Sequence, residues 1–242
     1  MNEHVTAMAK EFESFRYKHD IHTIFEDWLE MIAITISNRV NLLRFAEREA
    51  RYLELAKRYK ESELNQFAKL MALLINALEE KPNDYLGQLF MHLELFNSWR
   101  GQFFTPYEVA KLMSDMTMKT QLLDKLEAGE NIRVNDCAVG GGVTLIAAFS
   151  TIKELGYNPQ QVATFYAQDI DKKAVHMTYI QLSLLGVNAQ VFHGNTLTLE
   201  HWDTWLSPGY YWGFGKQGKK KSVAEAPVTI EVMAEFEQLA LF

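Results

Sequence analysis

The stretch 131–156, NIRVNDCAVGGGVTLIAAFSTIKELG, decides the fold. Ile132, Val134 and the residues up to Val139 predict a short buried strand, and Gly140, Gly141 and Gly142 a loop in which backbone can approach a ligand closely. An apolar helix over 143–155 follows, stopped by Gly156 and Pro159. Further along, 162–167 reads as a second strand, 171–185 as a second helix ending at Gly186, 189–192 as a third strand, and 203–206 as another strand-like run. Strands alternating with helices predict an α/β domain with a parallel, right-handed, doubly wound sheet. Ligands of such sheets sit at the carboxyl ends of the strands, so the expected site is 136–142, 168–171 and 193–197.

Upstream, from His4 to Leu95, apolar residues recur at three and four positions, as in Phe25, Trp28, Leu29 and Ile32 and again in Leu64, Phe67, Leu70, Met71 and Leu74. This predicts a helical region whose stripes pack on one another. GQFFTP at 101–106 reads as a loop entering a helix at Pro106, with Val109, Leu112, Met113 and Met116 at helical spacing. The expected organisation is a helical region 1–100, an α/β domain 101–214, and a linker and tail 215–242 that contains KQGKKK. Only 48 residues follow Gly194, and one strand-helix-strand unit takes about 30 or more, so the sheet is expected to be incomplete.

Composition narrows the class of function. Lys plus Arg number 24 against 31 Asp plus Glu, a net charge of −7, so contact with DNA requires a local patch or a partner. The single cysteine, Cys137, rules out an internal disulfide or a cysteine-based zinc site, fits a reducing cytoplasm, and reads as a small core residue. The N-terminal segment has no apolar run, so no signal peptide or membrane anchor is expected. The histidines lack metal-ligand spacing, and no metal is expected.

The glycine loop departs from two familiar phosphate binders. The position of the third glycine in a dinucleotide fingerprint is Leu145, and no GK[ST] follows the glycines. Asp169 can accept hydrogen bonds from both ribose hydroxyls, and Ile170 can cover an adenine face, so a nucleoside without phosphates fits. The plainer alternative is a tight turn at 140–142 and a helix cap at Asp169.

Together, GQFFTP, the DxAxGxG pattern (Asp136, Ala138, Gly140, Gly142), AQDID at 167–171 and GNTL at 194–197 resemble the catalytic region of S-adenosylmethionine-dependent adenine DNA methyltransferases, in particular the modification subunit of type I restriction systems. The likeness covers about 85–197 and includes YLGQLF at 85–90. It implies a Rossmann-like methyltransferase fold and S-adenosyl-L-methionine as cofactor. Gln102, Phe103, Phe104, Thr105 and Pro106 would embrace its methionine part with Gly140, Gly141 and Gly142, Asp136 would bind the cofactor beside them, Asp169 and Ile170 would hold the nucleoside, and Asn195 would lie near the adenine. DNA is the implied partner, with a DNA-specificity subunit beside it.

The family's Asn-Pro-Pro-aromatic tetrapeptide has its nearest counterpart in Ser207, Pro208, Gly209 and Tyr210. Ser207 and the Pro208 carbonyl can hold amine hydrogens and Tyr210 can stack on an extruded base, which makes Ser207, Pro208 and Tyr210 the catalytic candidates. A simple Pro-Gly turn is the alternative. Aromatics at 202–214 beside Lys216 and Lys219 suit flipped bases, or else seal an open sheet edge. QLALF at 238–242 resembles the pentapeptide that docks on the bacterial DNA sliding clamp, with Gln238, Leu239, Leu241 and Phe242 as contacts; an amphipathic helix packed on the body is the other reading.

Overall fold

A computed structural model describes residues 2–95 and 105–213. The N-terminal region is helical, as its periodicity predicts: α1 (Glu3–Glu13), α2 (Ile21–Asn38), α3 (Phe45–Ala56), α4 (Glu61–Glu80) and α5 (Tyr85–His92). Short polar side chains start three of these helices. Asn2 accepts from the His4 N–H, Asp20 from that of Thr23 and Asp84 from that of Gly87, each satisfying a donor the helix cannot. The stripe of Ile24, Phe25, Trp28, Leu29 and Ile32 is buried, and the Trp28 indole donates to the Phe67 carbonyl at 3.1 Å.

The α/β part runs α6 (Tyr107–Gln121), α7 (Leu123–Glu127), β1 (Ile132–Asp136), α8 (Val143–Glu154), α9 (Pro159–Val162), β2 (Ala163–Asp169), α10 (Lys172–Leu184), β3 (Asn188–Asn195), β4 (Glu200–Leu206) and α11 (Pro208–Tyr211). The described strands form one sheet in the order β1-β2-β3-β4. β1 pairs with β2 and β2 with β3 in parallel, aligning Asp136 with Ala167 and Asp169 with His193.

The sheet is not parallel throughout. β4 runs antiparallel to β3, with Leu206 opposite Gln190 and Glu200 opposite Asn195. Only residues 196–199 separate the two strands, whereas a parallel crossover takes a dozen or more, so the chain must double back. Leu199 makes the reversal in a left-handed conformation (φ 59°). A register shift between His193 and Gly194 brings the chain so close that a side chain at Gly194 would stand 2.1 Å from the Glu200 carbonyl oxygen.

The N-terminal helices and the sheet share a continuous apolar core extending from Val5 to Trp205. α10 packs against α2 on one side and β2 and β3 on the other. Ion pairs fasten the contact: Lys172 to Glu30 at 2.7 Å and Lys173 to Glu26 at 3.0 Å. Arg48 reaches from α3 to β4, where its guanidinium lies 3.7 Å from the centroid of Trp205 and donates to the Thr204 carbonyl at 3.0 Å. Trp205 is thereby buried against Arg48 and the α10 residues His176 and Tyr179, while Trp202, Tyr211 and Trp212 are exposed. α6 packs on α8, burying Ala110, Ser114 and Met118, while Val109, Leu112, Met113 and Met116 face outward.

Candidate functional site

The glycine loop is fixed at its base by Asp136, at the end of β1. Asp136 Oδ1 accepts from the Ala138 N–H at 3.0 Å, and Oδ2 accepts from the Thr144 hydroxyl in the first turn of α8. The Val139 N–H donates to the Gln168 carbonyl at 3.0 Å. One residue on, the Gly140 N–H donates to Asp169 Oδ2 at 2.9 Å, while Asp169 Oδ1 accepts from the Asp171 N–H at 2.9 Å. Burial pushes the Asp169 carboxyl up, against the backbone hydrogen bonds from Asp171 and Gly140. Gly142 enters α8 at φ 98°, a conformation costly to any residue with a side chain, and its N–H bonds the Val139 carbonyl at 3.0 Å.

A polar network holds the back of the loop. Thr178 on α10 donates its hydroxyl to the Gly140 carbonyl at 3.0 Å, and Gln181 Nε2 donates to the Gly141 carbonyl at 2.8 Å and to Asp84 Oδ1 at 2.9 Å. Gln181 Oε1 in turn accepts from the Leu86 N–H at 3.2 Å. A Cβ on Gly141 would stand 2.5 Å from Asp84 Oδ2, so only glycine lets the loop close on this carboxylate. Sequence reasoning missed Asp84, Thr178 and Gln181. Asp84 carried a signal, as an acidic cap directly ahead of the apolar run 85–90. Mid-helix positions such as Thr178 and Gln181 carried none.

The third edge comes from β3. Asn195 Oδ1 accepts from the N–H groups of Leu197 at 3.0 Å and Thr198 at 3.4 Å, and the Thr196 hydroxyl reaches the Cys137 carbonyl at 2.6 Å, tying this edge to the glycine loop. Cys137 is exposed in that loop rather than buried in the core as its residue type predicted, because β1 ends one residue before it. Ile170 is 60% exposed at the rim. Beside it the His193 ring meets Trp202 edge-on at 4.9 Å.

The parallel pairing therefore assembles Asp136, Gly140, Gly141, Gly142, Asp169, Ile170 and Asn195 along one rim at the carboxyl ends of β1, β2 and β3. Thr105 and Pro106 are exposed just ahead of α6 and, with Asp84, line a cavity of about 390 Å³. Gln102, Phe103 and Phe104 lie outside the described residues. Ser207, Pro208 and Tyr210 do not join the rim. Antiparallel β4 delivers them to the start of β3, beyond the Gln190–Leu206 pair, about 16 Å from Asn195 at about 3.3 Å per residue. There the Ser207 hydroxyl is fully buried, donating to the Val187 carbonyl at 2.7 Å and accepting from the Ala189 N–H at 2.9 Å, and Pro208 and Gly209 are buried beside it. Ser207 caps the short helix α11, accepting from the Tyr210 N–H.

The rim's chemistry fits a nucleoside. The N–H groups of Gly140 and Gly142 are spent inside the protein, so the loop is poorly equipped to cradle a phosphate. Asp169 uses one site on each oxygen, and a carboxylate has about four, which leaves acceptors for two ribose hydroxyls. With Asn195 Oδ1 engaged, its side chain has an N–H2 group to offer a ring nitrogen. An adenine nucleoside could thus be held by Asp169 and Asn195 beside exposed Ile170.

A parallel strand, glycine loop and helix closed by an acidic residue on the next strand belong to an α/β fold of the methyltransferase type. The N-6 DNA methylase family model matches residues 84–220, more than half of the chain, and the chain belongs to that family. Among solved structures it is similar to the crystal structure of the type I restriction-modification system methyltransferase subunit from Streptococcus thermophilus, at 14% identity and a TM-score of 0.42. That similarity covers 83% of this chain and 59% of the other, so the chain spans less than two thirds of that subunit. No curated protein matches.

Proposed function

We propose that this chain binds S-adenosylmethionine along the 136–142, 169–170 and 195 rim and serves adenine-N6 methylation of DNA as a cofactor-holding member of its family. The carrying observation is Asp169, which ties down the glycine loop through Gly140 yet keeps acceptors at the rim. Methyl transfer also needs acceptors for the target amine and an aromatic face for the base. Ser207 and Tyr210, the candidates for those roles, stand at the other end of β3. This favours cofactor binding, with the amine-handling groups supplied from outside the described rim, over turnover by Ser207.

Calorimetry with S-adenosylmethionine tests the binding, and incubation with labelled cofactor and DNA tests the chemistry. Saturable binding without label in DNA is the expected outcome for the chain alone. Label in adenine that disappears in Ser207→Ala, with unaltered folding, would restore the self-sufficient enzyme. Docking of Gln238, Leu239, Leu241 and Phe242 on a sliding clamp concerns residues outside those described; pull-down by the clamp, lost on deletion of 238–242, is its test. A DNA-specificity subunit remains the proposed source of target choice. No helix among the described residues is long and apolar enough to cross a membrane.

A further inference from the structure

β1 is outermost in the sheet order β1-β2-β3-β4 and pairs with β2 alone, so among the described residues its far edge has no strand partner. Open α/β sheets take their ligand at the carboxyl ends of the strands, at the point where the strand order reverses. The rim at Asp136, Asp169 and Asn195 lies at those ends, yet with β1 outermost the order never reverses. One parallel strand beyond β1 would create that point. β1 offers such a neighbour two distinct faces: Ile132 is buried and Val134 packs on the core, while Arg133 and Asn135 are exposed. Nearby, α6 packs on α8, the helix that covers β1, and leaves Val109, Leu112, Met113 and Met116 exposed.

The tail, outside the described residues, holds one segment with the period of a strand. In VTIEV at 228–232, the β-branched apolar residues Val228, Ile230 and Val232 alternate with Thr229 and Glu231, directly after Pro227. We propose that 228–233 pairs in parallel with the free edge of β1 as a fifth strand, so that the chain's own tail forms the second wall of the crevice at the rim. The lengths agree. The described residues end at Gly213, just past α11, which packs at the start of β3. From β3 the place beyond β1 is three strand spacings away, about 15 Å. Residues 214–227 supply the dozen or more that a crossover takes and can span about 45 Å. A right-handed crossover carries them over the face opposite α8 and α10, and the strand then runs upward to the rim. With Glu231 beside Arg133, Ile230 falls beside Ile132 and Val232 beside Val134, so apolar residues share one face and opposite charges meet on the other. The pairing does not depend on which ligand the rim takes.

The chain's single cysteine reports on it, since Cys137 is exposed one residue after β1. In this register Glu235 lies beside Cys137, at the roughly 5 Å between neighbouring strands that a disulfide can bridge. Glu235→Cys, oxidised in the whole chain without ligand, is expected to form an intramolecular disulfide at least tenfold faster than Thr229→Cys, which the pairing holds about 20 Å from Cys137. Equal rates overturn the assignment, because tethering alone would explain them. A disulfide that joins two chains also overturns it and makes a second copy the source of the strand. Amide hydrogen exchange tests the unsubstituted sequence. The β1 amides that face away from β2 are expected to exchange at least tenfold faster in a chain ending at Pro227, and at the native rate when only 238–242 are removed. Exchange of β1 that is unaltered by removal of 228–242 would mean that another segment holds this edge, and the assignment fails.

Discussion

The Gly140 N–H and Asp169 Oδ2 are joined at 2.9 Å, so the tip of the glycine loop is tied to the end of β2 by the carboxylate proposed to meet a ribose. Asp169→Asn puts this double role at risk, because the amide has one acceptor oxygen where the acid has two. Affinity for an adenine nucleoside is expected to fall at least tenfold, about 1.4 kcal/mol, by calorimetry. An unchanged affinity would remove Asp169 from the binding rim.

Backbone geometry gives a second prediction. Gly142→Ala places a Cβ at φ 98°, 3.1 Å from Thr178 Oγ1, and Gly141→Ala places one 2.5 Å from Asp84 Oδ2. The left-handed conformation alone costs about 1–2 kcal/mol. Gly141→Ala is expected to lower the melting temperature more, since its obstacle is a buried carboxylate held by Gly87 and Gln181 rather than a hydroxyl that can turn. Equal melting temperatures for the native chain and Gly141→Ala would contradict the close packing of loop on helix.

Ser207→Ala should act on stability. It strips a buried hydroxyl from the Val187 carbonyl and leaves the Ala189 N–H without that acceptor, a loss of about 1–3 kcal/mol, or about 2–4 °C per kcal/mol at this size. Nucleoside affinity is expected to stay within twofold of native. A melting curve that does not move, with affinity lost, would return Ser207 to the ligand site.

These contrasts show what the chain made readable. The 131–156 stretch exposed strand, loop and helix because three changes of local pattern fall within a few residues, and Asp169 could be placed because it ends an apolar strand. Its bond to Gly140 could not be, since that bond joins the end of one strand to the loop after another. The direction of β4 was legible in principle: four residues after Asn195 cannot build a crossover, and counting them gives the antiparallel return and moves Ser207 to the far end. No local pattern pointed to Gln181, whose role depends on α5 and the glycine loop arriving together.

Acid should loosen the contact between the helical region and the sheet. Although burial opposes it, hydrogen bonds from Arg51 and Lys172 bring the Glu30 carboxyl down to about 2 from an ordinary value of 4.5. A carboxyl lowered on folding contributes stability that is complete above the unfolded value and is lost as pH falls through the folded one. Glu30 therefore stabilises the protein fully above about pH 4.5, and this contribution fades between there and about pH 2. In urea titrations Glu30→Gln is expected to be less stable than native at pH 7, with the difference shrinking over that interval. A gap between the two proteins that is independent of pH would overturn the assignment.

Because the chain doubles back after Asn195, the residues that hold the rim and those that lock α11 share no side-chain partner among the described residues. Damage to one end should therefore be thermodynamically blind to damage at the other. Free-energy changes of Asp169→Asn and Ser207→Ala should sum in the double variant to within about 0.5 kcal/mol, making the two ends of β3 separately adjustable in an engineered descendant.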